Sequence, residues 1–178
     1  MVLKKIKNFL QSKTPSNLKE NKLKKKRIIG RKDKANFPSL GLENLDIKMD
    51  TGAYTSAIHC RKIETRKKNG KETLFFTLLD PSHPQYNTQE ISTDNFSEKR
   101  IKNSFGSSEK RFVIETDILL FGKKHSIELS LSERGEMKFP ILIGRRFLMG
   151  KFIVDSAKYD LSYKRKMKNL NNNINKKS

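Results

Sequence analysis

The chain has 178 residues and a formal net charge of +20, with 39 Lys and Arg against 19 Asp and Glu. That length holds about one domain, and 34% hydrophobic with 33% charged residues suits a folded unit with extended polar segments. No apolar stretch approaches the ~20 residues of a membrane-spanning helix, and the single cysteine, Cys60, excludes an internal disulfide.

The charge is concentrated at the ends. Residues 1–35 hold 13 basic and 2 acidic side chains, residues 158–178 hold 7 and 1, and the segment between is nearly balanced at 19 and 16. Residues 1–26 and the Asn/Lys-rich residues 161–178 bury too little apolar surface to offset their ordering entropy, and both are expected to be disordered tails. Such tails are either solvated ends or electrostatic contacts for RNA, a ribosome or an acidic protein. Val2, Leu3, Ile6, Phe9 and Leu10 recur at helical spacing, giving either a basic amphipathic helix of two or three turns for a membrane surface or a partner, marginal in water, or a frayed start to the tail. The basic N-terminus lacks the apolar core of a secretory signal. With one thiol and no such signal, a reducing, cytoplasmic location is expected.

Residues 27–160 form the expected folded domain. Arg27–Arg31 reads as a first short strand, and Pro38 and Gly41 punctuate a loop. Leu45, Ile47 and Met49 then alternate with Asp46, Lys48 and Asp50, the period-2 pattern of a half-buried strand. Gly52 breaks it. A strand from Ser56 to Glu64 turns at Asn69-Gly70, a strong hairpin signal, and returns through Thr73–Leu79. A polar loop is expected from Asp80 to about Arg100. Ile101–Phe105 and Arg111–Leu120 flank Gly106-Ser107-Ser108 as a hairpin, and Phe121–Lys124 turns into the alternating strand Ile127–Leu131. Pro140–Gly144 is apolar throughout, as for a strand buried on both faces. Arg145–Met149 reads as one helical turn and Phe152–Asp155 as a last strand. Many short strands and few helical periods indicate an all-β barrel or sandwich.

The chemistry-bearing candidate is Asp50-Thr51-Gly52-Ala53, a carboxylate at a strand end with Gly52 allowing close backbone approach. By itself this tetrapeptide fits either a catalytic Asp or an Asp opening an Asx-turn. A zinc site has little basis: no His-Glu-x-x-His pair is present, adjacent His59 and Cys60 face opposite sides of a strand, and His83 and His125 are isolated. No glycine-rich phosphate loop supports ATP use. No cofactor is expected. Ser56-x-x-His59 lacks a neighbouring orienting acid and reads as ordinary strand.

Three ordered features together resemble the retropepsin-like aspartic peptidases. They are the alternating strand Leu45–Asp50 with its Asp-Thr-Gly-Ala turn, the glycine-containing hairpin Asn103-Ser104-Phe105-Gly106-Ser107-Ser108, and the apolar run Ile141-Leu142-Ile143-Gly144-Arg145. Residues 28–155 look most like a bacterial subgroup that carries the label ATP-dependent zinc peptidase. The resemblance implies a small closed acid-protease barrel with one short C-terminal helical turn, and Asp50 as the catalytic residue. It implies that Thr51 hydrogen-bonds across a dimer axis and that Ala53 lets backbone approach the substrate. Gly144 and Arg145 would brace the active-site turn, with residues Asn103, Ser104, Phe105, Gly106 and Ser107 as a flap over it. Such catalysis needs two carboxylates around one water, sharing a proton because like charges that close cannot both ionise. The chain has one Asp-Thr-Gly, since Asp80 precedes Pro81 and Asp155 precedes Ser156. A second copy must supply the other half, which implies a homodimer. The subgroup also looks linked to glutamate ligases, implying glutamate-rich peptides or tails as substrate. Arg61, Lys62, Arg66, Lys67, Lys68, Lys71, Arg111, Arg134, Arg145 and Arg146 are the candidate cations for such a substrate. A catalytically silent binding protein of the same shape is the competing reading.

Overall fold

The computed structural model describes residues 26–102, 108–133 and 138–175. The strands are β1 (Arg27–Gly30), β2 (Lys32–Phe37), β3 (Leu42–Asp50), β4 (Ser56–Lys68), β5 (Lys71–Leu78), β6 (Glu90–Thr93), β7 (Phe96–Lys102), β8 (Ser108–Leu120), β9 (Lys123–Ser132), β10 (Ile141–Gly144) and β11 (Phe152–Asp155). Two helices complete the chain, α1 (Arg145–Leu148) and α2 (Leu161–Ile174).

The architecture is mostly β. Strand β10 pairs with β3 and β4, β3 with β2, β2 with β8, β8 with β9 and β9 with β4. These six strands therefore close a hydrogen-bonded ring. The ring mixes senses: β10 runs parallel to β3 and β4 parallel to β9. The β4–β5 hairpin extends from it, with β6 on its outer edge. Asn69 (φ 51°) and Gly70 (φ 77°) make the expected tight turn of that hairpin. Strands β1 and β11 pair in parallel as a separate two-stranded sheet.

Apolar residues of the alternating strands fill the ring. Leu42, Leu45, Ile47 and Met49 of β3 meet Ile58 of β4, Ile114, Ile118 and Leu120 of β8, and Leu129 and Leu131 of β9. The first five residues of β4 are all buried, because β9 and β10 flank that strand. Burial removes water as a partner, so β-ladders that pair each backbone group are what a buried strand needs.

Three expectations change. Strand β2 occupies part of the stretch read as a loop before Pro38. Its inward positions are Asp33, Ala35 and Phe37, and a buried charge beside a small residue hides the apolar alternation. The polar loop expected up to Arg100 contains β6 and the start of β7, edge strands with mostly exposed side chains. The disordered tail expected over 161–178 gives way to helix α2 over 161–174.

Helix α2 forms where it does because a buried carboxylate holds its first turn. Asp33 is 1% exposed, and its oxygens accept hydrogen bonds from the backbone N–H groups of Ser162 (2.8 Å) and Tyr163 (3.0 Å). The first amides of a helix have no partner within it, so this carboxylate serves as a cap supplied from another strand. Burial nonetheless pushes the Asp33 carboxyl above its ordinary range, against the lowering effect of those amides. The Ser162 hydroxyl accepts the Phe121 N–H at 2.6 Å, tying the same turn to the β8–β9 connection. The amphipathic residues 2–10 lie outside the described residues.

Candidate active site

Asp50 is the last residue of β3, half-buried at the ring's rim. Its Oδ1 accepts the backbone N–H groups of Gly52 (3.0 Å) and Ala53 (3.1 Å). Both readings of the tetrapeptide are thus compatible, since the Asx-type turn is what holds the carboxylate in place. Among the described residues Oδ2 makes no hydrogen bond, so one oxygen anchors the turn and the other is available for chemistry.

The turn is braced from its far side. Strand β10 lies parallel to β3 in a register that sets Gly144 beside Asp50. Beyond it the N–H of Arg145 donates to Ala53 O at 2.8 Å, and that of Arg146 to Tyr54 O at 3.0 Å. These are the first amides of α1, free to bond outside the helix because they have no partner within it. Ser56 completes the brace: its Oγ accepts the Gly144 N–H (3.0 Å), and its carbonyl accepts the Ser130 hydroxyl (3.1 Å). A Cβ on residue 144 would stand 2.6 Å from Tyr54 O and Thr55 C, so glycine is what permits this approach.

The structure brings Asp50, Thr51, Gly52, Ala53, Gly144 and Arg145 together as one unit. It adds Ser56, Ser130 and Arg146, which the sequence did not mark as supports. Only the apolar-Gly-Arg run hinted at Arg146, and nothing local marks a serine as a brace. Residues 103–107, the expected flap, lie outside the described residues, as do Arg134 and residues 135–137. Strands β7 and β8, which flank those residues in the sequence, pair from Phe96↔Ile114 to Lys102↔Ser108.

Of the expected substrate cations, several already hold carboxylates of this chain. Arg61 pairs with Asp80 (3.4 Å), Arg66 with Glu64 and Glu90, Arg111 with Glu109, and Arg146 with Glu128. Lys62, Lys67, Lys68 and Lys71 are exposed along the β4–β5 hairpin. Arg145 is exposed beside the Asp50 turn and makes no ion pair among the described residues.

The remaining candidates are not assembled into a second site. Ser56 is spent on the brace, and His59, 5% exposed, makes no side-chain hydrogen bond among the described residues. Its nearest acid is Asp80 at 3.7 Å. Cys60, on the same strand, is fully buried, and burial pushes its thiol well above the ordinary range.

A family model described as "RimB-like: Retropepsin-like aspartic endopeptidase RimB" matches residues 28–165. The chain belongs to the RimB-like family of retropepsin-like aspartic endopeptidases. Asp50, strands β7 and β8 and the Gly144 brace all fall inside the matched span. Curated relatives include a protein of Desulfotalea psychrophila described as a probable alpha-L-glutamate ligase, 37% identical over 132 residues, covering 74% of this chain and 28% of that one. A protein of Shewanella pealeana with the same description is 35% identical over 134 residues, covering 73% and 28%. The RimB-like chain thus matches little more than a quarter of these relatives' length. Among solved structures, a Legionella pneumophila protein of unknown function shares the fold, with TM-score 0.56 and 26% identity over 78% of this chain and 99% of that one. Among the described residues of this RimB-like chain, no helix is long and apolar enough to cross a membrane.

Proposed function

We propose that this chain is one half of a homodimeric aspartic endopeptidase, in which Asp50 and its copy in a second subunit activate a shared water. The observation that carries this reading is the braced turn: Asp50 Oδ1 is tied to the Gly52 and Ala53 amides, while Oδ2 is left unbonded among the described residues. Family membership over residues 28–165 supports it. A retropepsin-like half-site with one Asp-Thr-Gly needs a second copy, and a two-fold axis supplies an identical carboxylate. In the pair the ionised carboxylate takes a proton from water as the protonated one polarises the scissile carbonyl. Thr51 would then secure the two turns across the axis, and the hairpin around Asn103–Ser107 would cover the substrate and exclude water.

Glutamate-rich peptides or tails are the proposed substrate. The relatives that share this region are described as glutamate ligases, so a peptidase of this kind would stand beside glutamate-adding chemistry. Arg145, exposed next to the turn and without an ion pair among the described residues, is the side chain best suited to receive a substrate carboxylate by a bidentate contact. The single, buried thiol suits a reducing, cytoplasmic setting.

Digestion of a mixed peptide library with the full chain and with Asp50→Asn tests both parts. Cleavage enriched for Glu near the cut, and lost in a variant that still folds and dimerises, is the expected result. Binding of the same peptides without cleavage by either protein would instead identify a silent binding protein.

A further inference from the structure

A second concave site lies away from the Asp50 turn, where the β8–β9 connection, the turn after α1 and the start of β1 meet. It is a cavity of about 490 Å³ lined by Arg27, Leu120, Phe121, Lys123, His125, Gly150, Lys151 and Phe152. None of these residues belongs to the active-site turn or its brace. The size is within the range of small-molecule pockets.

Its floor is aromatic. Phe121 and Phe152 stack with centroids 6.2 Å apart, and His125 packs in T-shaped geometry with Phe152 (5.9 Å) and Phe147 (6.0 Å). Its walls carry three cations, and among the described residues no acid lines it. Half of the arginines and lysines of the six ring strands form ion pairs, including the next residue along, Lys124, which holds Asp117 at 2.7 Å. Arg27, Lys123 and Lys151 form no ion pair among the described residues. Arg27 lies over the Phe121 ring at 4.8 Å, and Lys151 Nζ donates to Phe147 O at 3.2 Å, which fixes the position of each head group. The three positive fields converge on His125: burial first, then Lys151, Lys123 and Arg27, hold its imidazole below its ordinary range.

Unpaired like charges held around a partly desolvated recess repel one another, and folding tolerates them at a cost. A ligand of opposite sign removes that cost on binding. We propose that this pocket is a binding site for a small polyvalent oxyanion, bearing either a phosphoryl group or clustered carboxylates, held by Arg27, Lys123 and Lys151 with His125 at its base. Arg27 offers a planar fork to two oxygens, and the lysines add point charges that accommodate a third or fourth. The site would take its anion whether or not Asp50 is catalytic.

The test is calorimetric titration of the full chain with inorganic pyrophosphate and, separately, with tri-glutamate, read beside the NMR signals of the His125 ring. Saturable binding that raises the titration midpoint of His125 is expected, because an anion offsets the three cations. Lys123→Ala with Lys151→Ala should weaken it by at least about tenfold, as loss of two charge-assisted contacts requires. Both side chains are exposed, so the double variant should keep its thermal transition. Lys164→Ala with Lys168→Ala removes the same charge from α2 and should change binding little. Tighter binding of pyrophosphate identifies a phosphoryl ligand, and tighter binding of tri-glutamate identifies carboxylates. If neither anion moves the His125 signals, or if the α2 variant weakens binding as much as the pocket variant, the proposal is overturned.

Discussion

Gly144 sits directly beside Asp50 in parallel register, and its own N–H is held by Ser56 Oγ at 3.0 Å. The space for a side chain at 144 is already filled by backbone of residues 54 and 55, at 2.6 Å from an ideal Cβ. Backbone cannot swing aside as a lysine tip can. Gly144→Ala should therefore destabilise the protein by about 1–3 kcal/mol, the usual range for overpacking. The displaced residues follow directly on the Asp50–Ala53 turn, so peptide cleavage should fall by more than the lost folded fraction explains. Urea unfolding and a cleavage assay on the folded variant check the two effects separately.

Asp33 is the anchor of the C-terminal helix. Replacing it with Ala leaves the amides of Ser162 and Tyr163 without their partner and should cost about 1–3 kcal/mol, as for unsatisfied buried donors. Helix α2 should fray before the ring does. Amide exchange should therefore rise first at Ser162 and Tyr163, while Ile47 and Leu129 in the ring core stay protected. Uniform loss of protection across both regions would contradict a local anchoring role.

His125 gives a pH dependence with a definite sign. Burial and the cations Lys151, Lys123 and Arg27 hold its folded-state pKa below the ordinary value of 6.5. The unfolded chain therefore takes up a proton before the folded one does. The contribution of neutral His125 to stability is fully present above the unfolded value and is lost as pH falls through the lowered folded value. Relative to His125→Gln, the native chain should lose stability as pH drops below about 6.5. Urea midpoints of the two proteins, compared from neutral to mildly acidic pH, measure this, and a constant difference would rule it out.

Cys60 should be chemically silent while the chain is folded. It is fully buried in β4, and burial, with Glu133 nearby, disfavours the thiolate that reacts. Alkylation by iodoacetamide should be slower than in denaturant by roughly 100-fold or more, since reaction requires opening. Rapid labelling of the folded protein would show that β4 opens easily at this point.

The parts of the fold visible in the sequence were those in which local pattern and tertiary role agree. β3 shows its alternation because its inner face is Leu45, Ile47 and Met49, and Asn69-Gly70 marks a turn whose geometry needs positive φ at both positions. Strand β2 was hidden because Asp33, an inward charge, has its partners in α2, about 130 residues away. Helix α2 was hidden for the matching reason: its capping carboxylate comes from β2, and its own sequence reads only as a polar, basic tail. Edge strands β6 and β7 have little buried surface to impose a period. At the site, Asp50-Thr51-Gly52-Ala53 and Gly144-Arg145 were legible as motifs. The serine brace was not, because Ser56 and Ser130 acquire that role only when β4, β9 and β10 come together.

The central claim, a catalytic site built from two copies of Asp50, is tested most directly by mixing subunits. Native chain and Asp50→Asn would be unfolded together, refolded at equal concentrations, and assayed for peptide cleavage per native subunit, with dimer content measured by sedimentation. Random pairing leaves about half of the native subunits facing a silent partner. Cleavage per native subunit should therefore fall to about half, and further as the variant is added in excess. Cleavage per native subunit that stays constant at every ratio, in samples shown to contain mixed dimers, would contradict a shared site.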